Sequence, residues 1–183
     1  MKSVKFTAIT LAAILSAVAI PALGQVMVGG APMYSSKDII DNAVNSKDHT
    51  TLVAAVKAAG LVPTLKGAGP FTVFAPTNAA FAALPAGTVD NLLKPENKAA
   101  LTKVLTYHVV AGKLETAALI KAVDAGGGKA TLTEVSGGTL TVTKSGTMIM
   151  LSDESGGMAH VTIPDVVQSN GVIHVVDKVL LPK

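Results

Sequence analysis

The fold is decided within residues 69–81, which read GPFTVFAPTNAAF and pass from strand-forming to helix-forming sequence. The β-branched and aromatic residues of the first half are typical of a strand, which Pro76 ends. Thr77 or Asn78 can then cap a helix that runs to about Leu84. Three of the chain's four phenylalanines fall in this stretch. We therefore predict that it lies deep in the core.

Alternation along this strand predicts which side chains share a face. Phe71 and Val73 should lie on one face, and Thr72 and Phe74 on the other. A final strand, predicted over residues 172–181, is expected to build the core together with it. The predicted structural core residues are Phe71, Val73, Phe74, Phe81, Val172, His174 and Val176.

The beginning of the chain has the pattern of a secretory signal peptide. Lys2 and Lys5 precede an uncharged apolar run that closes with small residues, which predicts a signal peptide over residues 1–24. The run is shorter than the roughly 20 residues that a membrane-spanning helix needs. We expect an exported protein, periplasmic, secreted or at the cell surface, without a membrane span in its mature form. An uncleaved N-terminal anchor is the alternative.

Composition excludes several kinds of partner. All 15 basic residues are lysine, and the chain has no Trp and two Tyr. It therefore lacks both the guanidinium forks and the aromatic platforms that nucleic-acid recognition uses, and we expect no nucleic-acid binding. The chain also has no Cys, so its fold depends on the core without disulfides.

The order of the predicted elements indicates an α+β domain. Gly-Gly and Pro predict a loosely ordered N-terminal segment over residues 25–35, followed by one domain over residues 36–183. Further helices are predicted at residues 38–44, 48–59, 88–93, 95–106 and 115–123, with a turn of helix at 164–168. Further strands are predicted at residues 107–110, 129–135, 139–144, 147–151 and 158–163. Helices first and strands later, without βαβ alternation, predict the α+β class.

The motifs that carry chemistry are missing from the sequence. There is no Gly-x-Ser-x-Gly element, and the Gly-rich run before Lys129 does not match a phosphate loop. The four histidines show no metal-ligand spacing, and Asp153-Glu154 is interpreted as a solvated loop tip. His174 and Asp177 should point to opposite faces of their strand. We expect no enzymatic activity, no metal and no cofactor.

Three blocks of sequence resemble the fasciclin domain family, from about Ser36 to the C-terminus. The blocks are residues 72–81, Tyr107-His108 and residues 171–182, in family-like order and separation. The resemblance implies a compact wedge of two small, mostly antiparallel β-sheets with several short α-helices packed on one side. It also implies that the first and last blocks form neighbouring core strands.

The same resemblance implies a set of candidate partner-binding residues. Elements tied to integrin contact in animal members match Pro164-Asp165-Val166 and Tyr107-His108 here. From the residues alone, Asp165 could equally close a local turn, and Tyr107 and His108 could be buried at the start of a strand. Both interpretations stay open at this point.

We expect a bacterial, monomeric adhesion protein; the signal peptide without eukaryotic features indicates the bacterial origin, and the resemblance implies adhesion. Fasciclin domains are generally extracellular modules that contact proteins, matrix or cell surfaces without catalysis. We therefore expect a non-catalytic exported protein that mediates cell adhesion or a cell-surface protein interaction. The alternative is a periplasmic small-ligand-binding or stress-response protein that uses an apolar pocket between the sheets and the helices.

Overall fold

A computed structural model describes residues 25–183 of the chain. The predicted signal peptide, residues 1–24, lies outside the described residues. Within the described part, no helix is both long enough and apolar enough to cross a membrane.

Helices and strands both contribute to the domain, which confirms the predicted α+β class. The strands are β1 Val26–Val28, β2 Ala31–Met33, β3 Phe71–Pro76, β4 Val109–Ala111, β5 Lys129–Thr133, β6 Thr139–Ser145, β7 Met148–Ser152, β8 Met158–Gln168 and β9 Gly171–Val176. The helices are α1 Ile39–Ala43, α2 Thr50–Ala59, α3 Val62–Leu65, α4 Asn78–Ala82, α5 Thr88–Leu92, α6 Lys98–Tyr107 and α7 Thr116–Ala125. Short 3-10 turns at Lys47–His49 and Pro95–Asn97 precede α2 and α6.

Seven strands form one hydrogen-bonded sheet in the order β4-β3-β9-β8-β7-β6-β5. Residues 158–160 of β8 pair with β7, and residues 161–168 pair with β9. Register shifts between Val161 and Ile163, and between Ile163 and Val166, mark irregularities in the part of β8 that pairs with β9. The two halves of the sheet therefore share β8.

The first and last sequence blocks are neighbouring strands, as the resemblance implies. β3 and β9 run parallel, with Phe71 opposite Gly171 and Pro76 opposite Val176. β4 pairs with the other edge of β3 in the antiparallel direction. β3 therefore lies between two partners.

The faces of β3 and β9 belong to two different cores. The first core contains Val73 and Ile173, which pack with side chains of α1, α2 and α6. The second core contains Phe74 and Val176, which pack with α7 and the inner faces of β6 and β7. This matches the predicted alternation. Val73, Phe74, Phe81, Val172, His174 and Val176 are buried, and Phe71 is half-buried.

Local capping explains where the helix after β3 begins. Thr77 is the N-cap of α4, and its side-chain oxygen accepts a hydrogen bond from the amide of Ala80 at 3.2 Å. This satisfies one of the free amides in the first helical turn. The helix ends at Ala82, slightly earlier than the predicted Leu84.

The prediction that Tyr107-His108 starts a strand is wrong. Tyr107 is the last residue of α6, His108 is its C-cap, and β4 begins only at Val109. The aromatic and β-branched run favours a strand locally, but burial of the Tyr107 ring in the second core holds the residue on the helix. The short β4 then begins directly after the cap.

The predicted turn of helix at residues 164–168 is also wrong, because these residues continue β8. Pairing of Val166 with Ile173 and of Val167 with Val172 keeps the segment extended. The last strand is shorter than predicted and ends at Val176.

Residues 25–35 are more regular than the loosely ordered segment that was expected. They form the β1-β2 hairpin, in which Val26 pairs with Met33. Val28 and Met33 are buried in the first core. Burial of these two side chains stabilises the hairpin against the rest of the domain.

Candidate interaction site

The candidate site is the irregular part of β8 around Pro164-Asp165-Val166. Asp165 has a φ of 55°, the only positive φ of a non-glycine residue in the described part of the chain. Aspartate tolerates this left-handed conformation better than most residues. The conformation turns the backbone locally, and it leaves Pro164 exposed while Val166 is buried in the first core.

Asp165 is held in place by two neighbouring elements. Its Oδ1 accepts a hydrogen bond from the amide of Thr116, the first residue of α7, at 2.6 Å. A carboxylate at that end of a helix also interacts favourably with the helix dipole. The amide of Asp165 donates to Nδ1 of His174 at 3.3 Å. Asp165 therefore has a structural role, but it acts through residues distant in the chain and not by closing a local turn.

His174 is buried and neutral, and it both accepts and donates a hydrogen bond next to Asp165. Its Nε2 donates to the carbonyl of Leu114 at 2.7 Å, so Nδ1 keeps the lone pair that accepts from Asp165. The ring stacks on Phe74 with the ring centroids 5.6 Å apart. Burial lowers the pKa of His174, which favours this neutral form.

Tyr107 and His108 lie inside the domain and not on its surface. The hydroxyl of Tyr107 donates to the carbonyl of Thr139 at 2.7 Å and accepts from the amide of Glu154 at 3.1 Å. His108 lies next to β4, separated from β8 by β3 and β9. The fold therefore does not place this pair beside Pro164-Asp165.

Sequence reasoning missed the role of Asp153, which was interpreted as part of a solvated loop tip. The side chain is buried, and Oδ1 accepts from the amides of Ser155 at 3.0 Å and Gly157 at 2.6 Å. Oδ2 accepts from the amide of Leu181 at 2.9 Å. The Asp-x-Ser-Gly-Gly pattern is typical of an Asx turn and could have indicated the first of these contacts.

Sequence reasoning also missed a side-chain hydrogen bond between β8 and the residue that follows β9. Nδ1 of His160 lies 3.0 Å from Oδ2 of Asp177. The two residues are 17 positions apart, and no local pattern connects them. Within residues 25–183, no group of three or more His, Cys, Asp or Glu side chains is arranged to hold a metal ion.

The first core encloses a small cavity between the helices and the sheet. Its volume is about 40 Å³, and its lining is almost entirely apolar. Val73 and Ala75 of β3 form part of one wall, and Leu52 and Val56 of α2 form part of another. The cavity lies where the alternative function, small-ligand binding, would require an apolar pocket.

A protein-family model and several known proteins match this chain. The Fasciclin domain family model matches residues 47–182. Protein sll1483 of Synechocystis sp. is 49% identical over 158 residues, covering 85% of this chain and 79% of that protein. The cell surface glycolipoprotein MPB83 of Mycobacterium bovis is 37% identical over 122 residues, covering 67% of this chain and 48% of that protein.

A solved structure has the same fold. It is a FAS1 domain pair from the insect cell adhesion molecule Fasciclin I, with a TM-score of 0.69 and 18% sequence identity. The match covers 79% of this chain and 51% of that chain. At this identity, the comparison supports the fold alone.

Proposed function

The chain belongs to the fasciclin domain family, and from that premise we propose that it is a non-catalytic, exported, monomeric protein that mediates cell adhesion or a cell-surface protein interaction. Similarity to the cell surface glycolipoprotein MPB83 supports this proposal. The contact surface in this proposal is the β8 bulge, defined as residues 162–165.

The β8 bulge is held in one conformation by hydrogen bonds, and this observation is the main support for the proposal. Thr162 and Pro164 are exposed, while Asp165 beneath them is bonded to α7 and to β9. A surface held in one conformation loses little entropy when a partner binds. Proline adds stiffness because its φ is already fixed. The bulge is thus suited to present a short, rigid feature to another protein.

Tyr107 and His108 are left out of the proposed contact surface. The Tyr107 side chain is fully buried and His108 is 2% exposed. Neither can reach a partner without opening the core. We propose that these two residues support the fold and do not contact a partner.

The cavity of the first core does not favour the small-ligand alternative. Pockets that hold drug-sized ligands have volumes of about 300–1,000 Å³. The cavity of about 40 Å³ is far below that range. It has room for no more than a few water-sized molecules.

A cell-aggregation assay tests the proposal. Host cells lacking the protein would be complemented with the native chain, with Pro164→Glu, or with Thr133→Glu as a control that adds the same charge at an exposed position on β5. We expect Pro164→Glu to lose most of the adhesion that the native chain restores, and Thr133→Glu to retain it.

Two further measurements make the result decisive. Thermal melts check that both variants stay folded, and sedimentation checks that the chain is monomeric. Unchanged adhesion in cells that lack the protein would overturn the proposed function. Normal adhesion with folded Pro164→Glu would overturn the proposed surface.

A further inference from the structure

Three of the chain's six methionines lie on one outward face of the sheet. Met148 is 52% exposed, Met158 is 45% exposed, and Met150 is half-buried. The residues that alternate with them along β7 and β8 are buried in the second core. The three thioethers therefore face away from the core.

Methionine is unusual on this face because the surrounding positions carry hydroxyl groups. The register places on it Thr131, Thr133, Thr139, Thr141, Thr143, Ser145 and Ser152. An antiparallel sheet with one wet face is expected to carry such polar side chains there. Exposed methionines add little to core packing. Their clustering calls for a different explanation.

The strand register brings a histidine to the same place. Met150 is directly opposite His160, and Met158 lies two residues before His160 on β8. Residues opposite or diagonal to each other on one face of a sheet are within reach of long side chains. Two thioethers and one imidazole can therefore converge on one point.

The imidazole is already oriented for ligation. Because the carboxylate of Asp177 can only accept, Nδ1 of His160 carries the hydrogen of their 3.0 Å contact. Nε2 is then left with its lone pair, on a side chain that is 39% exposed. A carboxylate that fixes the ring in this way is the usual partner of a metal-binding histidine.

We infer that Met150, Met158 and His160 form a binding site for monovalent copper. Thioether sulfur is a soft ligand that selects Cu(I), and imidazole also suits copper. The chain has no Cys that could compete for the ion. The three-residue site is separate from the β8 bulge and does not depend on the proposed adhesion function.

Anaerobic titration of the folded protein with Cu(I), in competition with a chromogenic Cu(I) chelator, tests the inference. We expect one equivalent to bind to the native chain. Met150→Leu and Met158→Leu keep similar size and apolarity, and each should weaken Cu(I) binding by tenfold or more. Met27→Leu removes a methionine that is 55% exposed on β1 and should leave the affinity unchanged.

Two additional readouts separate ligation from general structural effects. X-ray absorption should show sulfur and nitrogen around the copper, with a sulfur contribution lost in Met150→Leu. Asp177→Asn should weaken binding by about 10- to 100-fold through the orientation of His160. Circular dichroism confirms that each variant is folded before it is titrated.

Three results would overturn the inference. The native protein could fail to compete with the chelator for Cu(I), or Met27→Leu and Met150→Leu could lose Cu(I) affinity equally. The X-ray absorption spectrum of the bound copper could also show no sulfur. If the native chain bound no copper while Met150→Leu and Met158→Leu failed in the aggregation assay, this face would be a protein-docking surface.

Discussion

The backbone amide of Leu180 donates a hydrogen bond to Nε2 of His108 across 3.0 Å. On the other side of the ring, Nδ1 donates to the carbonyl of Val104 at 2.8 Å. The imidazole is therefore neutral, with its hydrogen on Nδ1, and joins the C-terminal segment to α6. Protonation of Nε2 would remove the acceptor for Leu180.

The domain should lose stability as the pH falls from about 6.5 towards 4. Burial lowers the pKa of His108 from 6.5 to about 4 in the folded chain. The unfolded chain takes up this proton first, so the free energy of unfolding falls with decreasing pH across that window and is insensitive to this group above it. The full shift corresponds to about 3 kcal/mol. Burial lowers the pKa of His49 and His174 as well, which acts in the same direction.

Urea unfolding at a series of pH values measures this effect. The His108→Gln variant cannot take up the proton, so its stability should depend less steeply on pH between about 6.5 and 4. The comparison concerns the slope, because the variant can also differ in absolute stability. Identical slopes for the variant and the native chain would contradict the role given to His108.

Replacing Phe74 with Ala should destabilise the domain by about 3–5 kcal/mol. The side chain is fully buried in the second core and stacks on His174. The control is Val135→Ala at a position that is 49% exposed, where we expect a change within about 0.5 kcal/mol. Denaturant midpoints measure both. A nearly neutral Phe74→Ala would show that the second core is misplaced.

Gly171→Ala should destabilise the domain by an amount on the order of 2–3 kcal/mol. A Cβ atom at Gly171 would lie 2.0 Å from the carbonyl oxygen of Phe71, on the paired strand β3. Backbone cannot move aside as a flexible side chain can. Gly87→Ala is the control, since Gly87 has a positive φ but open space around it, and should cost only about 1–2 kcal/mol. Equal melting temperatures for the two variants would argue against the close approach of β3 and β9.

Asp165→Ala should cost about 1–3 kcal/mol, because it removes the acceptor for the amide of Thr116 and puts Ala at a positive φ. Asp165→Asn keeps both an acceptor oxygen and a tolerance for this conformation, so it should retain most of the stability. Thermal unfolding of the two variants gives the comparison. If Asn were as damaging as Ala, the hydrogen bond to α7 could not be what holds the bulge.

Features that depend on neighbouring residues could be predicted from the sequence. The Thr77 cap, the strand that Pro76 ends and the alternation of Val73 and Phe74 all follow from local hydrogen bonding and side-chain geometry. The α+β class followed separately from the order of the predicted helices and strands, without βαβ alternation.

Tyr107 shows where local reasoning fails. An aromatic residue before two valines favours a strand, but contacts with Thr139 and Glu154, far along the chain, are compatible with its place on α6. The contact of Asp165 with Thr116 spans 49 positions and left no pattern in the sequence. The resemblance suggested the position of the candidate site, but the hydrogen bonds that hold Asp165 could be recognised only in the folded chain.

Each of the central strands β3 and β9 sends side chains into both cores, so the two cores are mechanically linked. Neither core can come apart without breaking the backbone ladder that also supports the other. Unfolding should therefore be all-or-none, without a half-open form. If the chain is exported as proposed, its susceptibility to proteases should then follow the rare complete opening of the domain.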